Sequence, residues 1–170
     1  MLKVHVLDQL HHHRSNVAHG VEVPAGARLL FTNGQVGTKP DGSTPEATAE
    51  QGGVIFDRLK AVLKAADMTL NDIVCFDVYV TDRADIDPFA EVRDRIMGDH
   101  KPGATQLVVN GLARPKLKIE IEAVAAKVRT AASREGASAV RLCKAPLRGA
   151  IRARPVTAAS TAGGMAMNRP

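Results

Sequence analysis

Two segments of this sequence alternate between apolar and polar residues, and this period of two constrains the fold more than any other feature. The segments are Ile73–Val80 and residues 117–125, where every second position is apolar. The positions between include the acidic residues Asp77, Glu120 and Glu122. Such alternation predicts β-strands with one face in a core and the other face of different chemistry.

Two amphipathic helices are predicted between the strands. The first extends from a capping box at Ser43–Glu46 to about Ala66, with apolar residues at the helical period. The second is capped by Asp87, with Pro88 at the first helical position, and ends near Gly98. Each interior glycine costs a helix about 1 kcal/mol relative to alanine. We therefore expect the turn at Gly52 and Gly53 to pack closely against another backbone.

Short apolar segments predict further strands. They are Val4–Leu7, Val21–Val23, Leu29–Thr32 and residues 105–110. The break at Pro24–Gly26 has turn chemistry and predicts a hairpin between the strands on either side. Because helices alternate with strands, we expect an α+β fold in which two helices cover one face of a mixed sheet. The opposite face then meets water or a partner subunit.

The basic charge is confined to the C-terminal part of the chain. The 170 residues carry a formal net charge of +5, yet residues 130–170 hold seven basic residues against Glu135 alone, which leaves −1 for residues 1–129. All five aromatic residues precede residue 130. We expect a folded domain at 1–129 and a disordered basic extension at 130–170. An arm that contacts acidic partners is the alternative interpretation of the extension.

Composition argues against several classes of protein. Aromatic residues make up 3% of the chain, so the stacking platforms of single-stranded nucleic-acid binders are missing. No segment approaches the ~18 consecutive apolar residues of a membrane span, and the N-terminus lacks the apolar core of a signal peptide. Two cysteines, Cys75 and Cys143, cannot form a disulfide framework. We expect a cytoplasmic protein that does not contact membranes.

Three conspicuous motifs do not predict chemistry. The His11–His13 run has no second ligand cluster at metal-binding spacing, so no metal site is predicted. Gly34–Gly37 lacks the spacing of a phosphate-binding loop. Cys75 lies in a strand, where a small buried hydrophobe is the usual role.

Glu120 and Glu122 are the candidates for acid–base chemistry. Both point to the same face of a strand as Lys118. On an exposed edge they form a solvated surface. In a cleft between subunits, one of them could instead act as a general acid or base.

Four stretches, in this order, are similar to a known family. They are Leu29–Gln35 with its NGQ motif, the helix Phe56–Ala66, the strand end Val78–Asp82 with the Phe89 helix after it, and residues 118–123 (KIEIEA). From Val21 to Ala126 the chain resembles the RidA family, also called YjgF or L-PSP endoribonuclease. The resemblance implies a chorismate-mutase-like domain that forms a homotrimer. The sheets would form an inner barrel, with active clefts between subunits.

The resemblance also implies a chemistry. Archetypal members hydrolyse reactive enamines and imines, such as 2-aminoacrylate, to 2-oxo acids and ammonia without a cofactor. The position of the water-activating carboxylate is occupied here by Glu120.

The chain departs from the family pattern at several positions. Thr105 stands where the family has the arginine that binds the substrate carboxylate, and no Arg or Lys lies between Lys101 and Arg114. The family's serine before GQ is Asn33, and its N-terminal tyrosine is missing, with Val17 near that place. Each charge-assisted hydrogen bond from a guanidinium contributes about 1.5–3 kcal/mol. A threonine hydroxyl replaces neither the positive charge of the guanidinium nor its paired N–H donors.

The departures predict a remodelled cleft and a substrate other than the usual 2-imino acid. Arg114, in the loop before the last strand, is the alternative cation. Glu120 is the expected catalytic residue, and the expected binding residues are Asn33, Gln35, Thr105, Gln106, Arg114 and, as an apolar wall from across the interface, Phe89.

Three functions are consistent with the sequence. The first is cofactor-free hydrolysis of an enamine or imine. The second is a trimer that binds a small molecule, or regulates, without turnover. The third, RNA binding or cleavage, is disfavoured by the charge of residues 1–129, and only weak, salt-sensitive binding through residues 130–170 is expected.

Overall fold

The structure is a computed structural model that describes residues 1–10 and 17–128. The predictions for the His11–His13 run and for the extension at 130–170 concern residues outside these ranges. Seven strands and two helices are described: β1 Lys3–His5, β2 Gly20–Glu22, β3 Ala27–Phe31, β4 Gln35–Val36, α1 Thr48–Ala65, β5 Ile73–Val80, α2 Ile86–Met97, β6 Gly103–Val108 and β7 Ile119–Val128.

The main sheet is mixed and is built around β7. Its order is β3–β7–β5–β6, and β4 also pairs with β7. β7 is antiparallel to β3, β4 and β5, whereas β5 and β6 run parallel. The predicted α+β class, with one mixed sheet and two helices, is confirmed. No helix among the described residues is long and apolar enough to cross a bilayer.

The predicted hairpin between β2 and β3 is wrong. β2 pairs instead with β1 in a separate two-stranded sheet, and β3 pairs with β7. A turn does form at the predicted place, since Ala27 N donates to Pro24 O (3.3 Å) and Gly26 has φ +77°. It redirects the chain from one sheet to another, because β3 finds its hydrogen-bonding partner about a hundred residues later in the sequence.

Helix α1 begins later than its sequence predicts. Ser43 does not cap it; its backbone N–H and its hydroxyl both donate to the Asp41 carboxylate (2.9 and 2.7 Å). This short-range turn competes with a helical start at Ser43. The residue that precedes α1 is Ala47, which has no capping side chain.

The core lies between the two helices and one face of the sheet. Phe56 of α1 is fully buried, stacks on Phe89 of α2 with ring centroids 6.3 Å apart, and meets Phe76 of β5 edge-on at 5.9 Å. Gly52 brings the helices together, because a Cβ there would lie 3.2 Å from the Phe89 ring. Gly52 thus packs against an aromatic ring and not against the expected backbone. At Gly53, no atom would lie within 4 Å of a Cβ.

The other face of the main sheet is not covered by the described residues. Strand register and alternation place side chains of all five strands on it, including Val36 beside Glu120 and Ala126 beside Leu29. We call this surface the open face; ten of its residues are Leu29, Phe31, Cys75, Asp77, Tyr79, Thr105, Leu107, Glu120, Glu122 and Val124. The two-faced strands predicted from the alternation are confirmed. One bulge, at Ile73–Cys75, shifts the register at the start of β5 so that Ile73 is buried in the core.

Candidate functional site

Glu120 lies on the open face beside Gly34, which has no side chain. In β7 it pairs with Tyr79 of β5 on one side and with Val36 of β4 on the other. A Cβ at Gly34 would lie 1.8 Å from Glu120 Oε1 and 2.7 Å from its Cδ. The half-buried carboxylate therefore occupies the space that any other residue at position 34 would fill.

Acidic groups surround the single tyrosine of the chain. Tyr79 is opposite Glu120, and the next pair along the same strands is Asp77 with Glu122. The negative charge of Glu122 is the main cause that raises the pKa of Tyr79, followed by desolvation and the charges of Asp77 and Glu120. The phenol is thus held in its protonated form and remains a hydrogen-bond donor.

Thr105 shares the open face with Glu120 but is not adjacent to it. The parallel register of β6 places Thr105 beside Asp77 and Leu107 beside Tyr79. Because β5 separates β6 from β7, the two residues belong to strands about 10 Å apart. A small molecule could span that distance on the open face.

Gln106 lies on the opposite face of the sheet. It pairs with Val78, which is buried in the core. Its Nε2 is buried and has no hydrogen-bond partner among the described residues. The expectation that Gln106 shares a pocket with Glu120 is corrected, because adjacent residues of a strand point to opposite faces.

Gln35 is also turned away from Glu120. It pairs with the fully buried Ile121, so its side chain lies on the helix side of the sheet. There it accepts a hydrogen bond from Arg58 Nε of α1 (3.1 Å) and donates one to Asn33 O (3.0 Å). Asn33 itself is exposed in the turn between β3 and β4, one residue before Gly34.

Two further expected site residues lie elsewhere. Phe89 has no accessible surface and belongs to the core, so its assignment to the wall of a cleft is corrected. Its position in the apolar stripe of α2 explains this burial. Arg114 is exposed in the loop between β6 and β7, where its carbonyl accepts a hydrogen bond from Leu117 N (3.0 Å).

A buried glutamine, which was not anticipated, fixes the start of β7. Gln51 Nε2 donates to Pro45 O (2.7 Å) and Lys116 O (2.9 Å), while Lys118 N donates to Gln51 Oε1 (3.0 Å). The backbone of Gly37 packs against it, with the missing Cβ 2.4 Å from Gln51 Cβ. The available signal was its position four residues before Ile55, on the apolar face of α1.

The described residues include no cluster of three or more His, Cys, Asp or Glu that could hold a metal ion. Cys75 lies half-buried on the open face, where desolvation and the Asp77 charge raise its thiol pKa. A raised pKa decreases the fraction of nucleophilic thiolate. The groups of this surface that could accept a proton are therefore the carboxylates of Asp77, Glu120 and Glu122.

Comparisons with known proteins identify the class to which this fold and site belong. The family model described as endoribonuclease L-PSP matches residues 14–127. TdcF of Escherichia coli, whose name classes it provisionally as a reactive intermediate deaminase, is 30% identical over 102 residues, which cover 58% of this chain and 79% of TdcF. The RutC family protein PH0854 of Pyrococcus horikoshii is 34% identical over 103 residues, with the same coverages of 58% and 79%.

Solved structures agree with the sequence relatives. YyfB of Yersinia pestis, a conserved Rid-family protein, has a TM-score of 0.65 at 27% identity and covers 74% of this chain and 98% of its own. E. coli TdcF, solved with bound serine, has a TM-score of 0.55 at 27% identity, covering 75% and 99%. The chain belongs to the L-PSP family, which is the RidA/YjgF family that its sequence resembles.

Proposed function

We propose that this protein hydrolyses a reactive enamine or imine to a carbonyl compound and ammonia, with Glu120 as the catalytic residue. The observation that carries the proposal is the Glu120 carboxylate, half-buried on the open face against the backbone of Gly34. Membership of a family that includes a provisionally named deaminase supports it.

Hydrolysis needs one group that moves a proton. The Glu120 carboxylate accepts a proton from water as the water oxygen bonds to the imine carbon. For a neutral imine, the nitrogen takes that proton, and Glu120 then transfers the hydroxyl proton of the carbinolamine to the same nitrogen. Ammonia leaves as the C–N bond breaks and the C=O bond of the carbonyl forms. An enamine substrate first gains a proton on carbon and becomes the imine. No oxidant, reductant or cofactor is required by this balance.

The charge of the open face favours a substrate other than a 2-imino acid. Asp77, Glu120 and Glu122 contribute negative charge, and the open face as defined contains no Lys or Arg. The neighbouring Lys118 precedes β7 and lines a separate groove with Thr44 and Pro115. These three carboxylates would repel the carboxylate of a 2-imino acid. We therefore propose a neutral imine or a cationic iminium whose polar group accepts a hydrogen bond from Thr105.

The open face also supports assembly as a homotrimer with clefts between subunits. Phe31, Leu29 and Leu107 are 69%, 53% and 52% exposed on it. Exposed apolar side chains that lie together usually mark an interface. Phe31→Asp is expected to convert the assembly to monomers in light scattering after size exclusion. Val4→Asp, at an exposed position of β1, is the matched control and keeps the wild-type mass.

Ammonia release tests the function. Purified protein is assayed with 2-iminobutanoate and with an N-unsubstituted aliphatic imine that lacks a carboxylate, both generated in situ. We expect turnover above the spontaneous rate only for the second substrate, loss of at least about a hundredfold in Glu120→Gln, and wild-type turnover in Glu91→Gln, an exposed carboxylate of α2. Turnover unchanged in Glu120→Gln contradicts the assignment of Glu120.

A binding trimer without turnover is the second candidate function. The serine bound in TdcF favours it, since that relative retains an amino acid. Saturable binding of an imine analogue with no ammonia release from either imine would support this candidate. Thr105→Arg then separates the two: gain of 2-iminobutanoate hydrolysis means that Glu120 is competent and only the substrate contact is missing.

A further inference from the structure

A groove of about 510 Å³ lies on the outer side of α1, beside the segment that follows β4. It does not include any residue of the open face. The residues that line it are Thr38, Lys39 and Pro40 from the segment and Val54, Asp57, Arg58 and Ala61 from α1. Gln35 accepts a hydrogen bond from Arg58 at the edge of the groove, and its side chain lies on the helix side of the sheet. The neighbouring Gly34 instead borders Glu120 on the open face. The groove is thus distinct from the site around Glu120.

The guanidinium of Arg58 is held in place at the edge of this groove. Its Nε donates to Gln35 Oε1 (3.1 Å) and its Nη1 donates to Thr38 O (3.0 Å). Gln35 is itself fixed, because its Nε2 donates to Asn33 O (3.0 Å). A guanidinium has more N–H donors than these two bonds use. Because these two hydrogen bonds restrict the Arg58 side chain, its remaining N–H donors are already oriented. The entropic cost of binding a ligand to them is therefore lower.

The charge of the groove is positive. Lys39 and Arg58 both line it, while the carboxylate of Asp57, the one acidic residue of the lining, lies 3.2 Å from Lys60 Nζ. Val54, Ala61 and Pro40 provide apolar surface beside the two cations. A guanidinium binds a carboxylate through two parallel hydrogen bonds, and the apolar residues suit a short hydrocarbon chain.

We propose that this groove is a binding site for a small aliphatic carboxylate. The carboxylate contacts Arg58 and Lys39, and the hydrocarbon chain packs on Val54 and Ala61. The site belongs to this chain irrespective of the reaction at Glu120, so it does not rest on the deaminase proposal. A ligand there would contact the β4 segment through Gln35, one residue from the glycine that borders Glu120.

Titration of the full chain with butanoate tests the site. The side-chain Nε–H of Arg58 and the amide of Gln35 are followed by proton–nitrogen correlation spectroscopy. We expect both signals to shift saturably in the wild type. Arg58→Gln is expected to weaken the affinity at least about tenfold, since one charged hydrogen bond is worth that factor or more. Butylammonium, with the same chain and the opposite charge, is expected to leave the signals unchanged.

Controls separate the groove from general effects of charge. Arg95→Gln removes an exposed arginine of α2 that does not line the groove and is expected to bind butanoate as the wild type does. Glu120→Gln is likewise expected to bind it fully, so failure of the deaminase proposal does not affect this one. Equal affinities in Arg58→Gln and Arg95→Gln, or no saturation in the wild type, would overturn the proposal. Inorganic phosphate binding as tightly as butanoate would also overturn it, because the apolar residues would then contribute nothing.

Discussion

The carboxylate of Glu120 lies where the side chain of residue 34 would be, with Oε1 1.8 Å from the Cβ position of Gly34. The φ angle of Gly34 is not positive, since the positive φ values of the described glycines occur at Gly26, Gly42 and Gly98. Its role is therefore to leave space. The atom displaced by a Cβ would be the end of a flexible side chain, which moves at small energetic cost.

Gly34→Ala is expected to decrease activity far more than stability. The added methyl group displaces the Glu120 carboxylate, and misplacement of a reacting group by about 1 Å can cost about a hundredfold in rate. We expect that loss in ammonia release, with a change in the free energy of unfolding below about 1 kcal/mol. Gly111→Ala is the control, because nothing lies within 4 Å of a Cβ there. Equal activities of the two variants would contradict the role of Gly34.

Tyr79 can be titrated without interference, because the chain has one tyrosine and no tryptophan. Its phenolate absorbance is expected to appear at a pH above that of a free tyrosine, since Glu122 raises the pKa of the folded form. Glu122→Gln should move the titration toward the ordinary value, whereas Glu91→Gln should not. An unchanged titration in Glu122→Gln would mean that the two groups do not interact.

The same shift determines the sign of the pH dependence of stability. The pKa of Tyr79 in the folded state is above its unfolded value, so the unfolded chain releases the proton first as the pH rises. The Tyr79 contribution to stability is therefore complete below the unfolded pKa, near 10, and is lost above it. Denaturant titrations at increasing alkaline pH should show a smaller loss of stability in Tyr79→Phe than in the wild type.

Adjacent glycines in α1 are expected to respond differently to alanine. Gly53→Ala should raise the free energy of unfolding by about 1 kcal/mol, because helix propensity improves and the Cβ meets no atom within 4 Å. Gly52→Ala gains the same propensity but places a Cβ 3.2 Å from the buried Phe89 ring. We expect it to be less stable than Gly53→Ala by about 1–3 kcal/mol in urea denaturation. The reverse order would mean that α2 moves freely away from α1.

Gln51 is expected to be one of the most sensitive polar residues of the chain. Gln51→Met retains the size of the side chain and removes its hydrogen bonds to Pro45 O, Lys116 O and Lys118 N. Each unsatisfied buried group costs about 1–3 kcal/mol, so we expect a loss of about 3 kcal/mol or more. Glu50→Met, at the exposed neighbouring position, is the control, with a change below about 1 kcal/mol. Thermal unfolding of both variants provides the comparison.

Local pattern was sufficient to predict the strands of the sheet except the two-residue β4, but not how the strands pair. The alternation in Ile73–Val80 correctly predicts which side chains of β5 are buried from Phe76 onward. No local signal shows that β3 pairs with β7 and not with β2, because that choice depends on hydrogen bonds between distant segments. The turn at Pro24–Gly26 forms as predicted, and only the hairpin predicted from it is wrong.

The site was predicted in part for a similar reason. Glu120 and Thr105 do share the open face, and the period of two that places them there also excludes Gln106. The expectation that Gln106 belongs to the same site conflicts with the alternation, which already separates the neighbours Thr105 and Gln106. No sequence pattern indicates a binding role for Arg58, because it occupies an exposed helical position and its hydrogen-bond partner Gln35 is in a different element.

β7 is the last strand of the described residues and the common partner of β3, β4 and β5. During synthesis on a ribosome, these three strands emerge before β7, so the strand edges that later pair with Ile119–Val128 are at first unpaired. Until then their exposed backbone groups are open to pairing with other chains. A translation product that stops before residue 119 has therefore lost the central support of its sheet, and we expect it to be a substrate for chaperones and proteases.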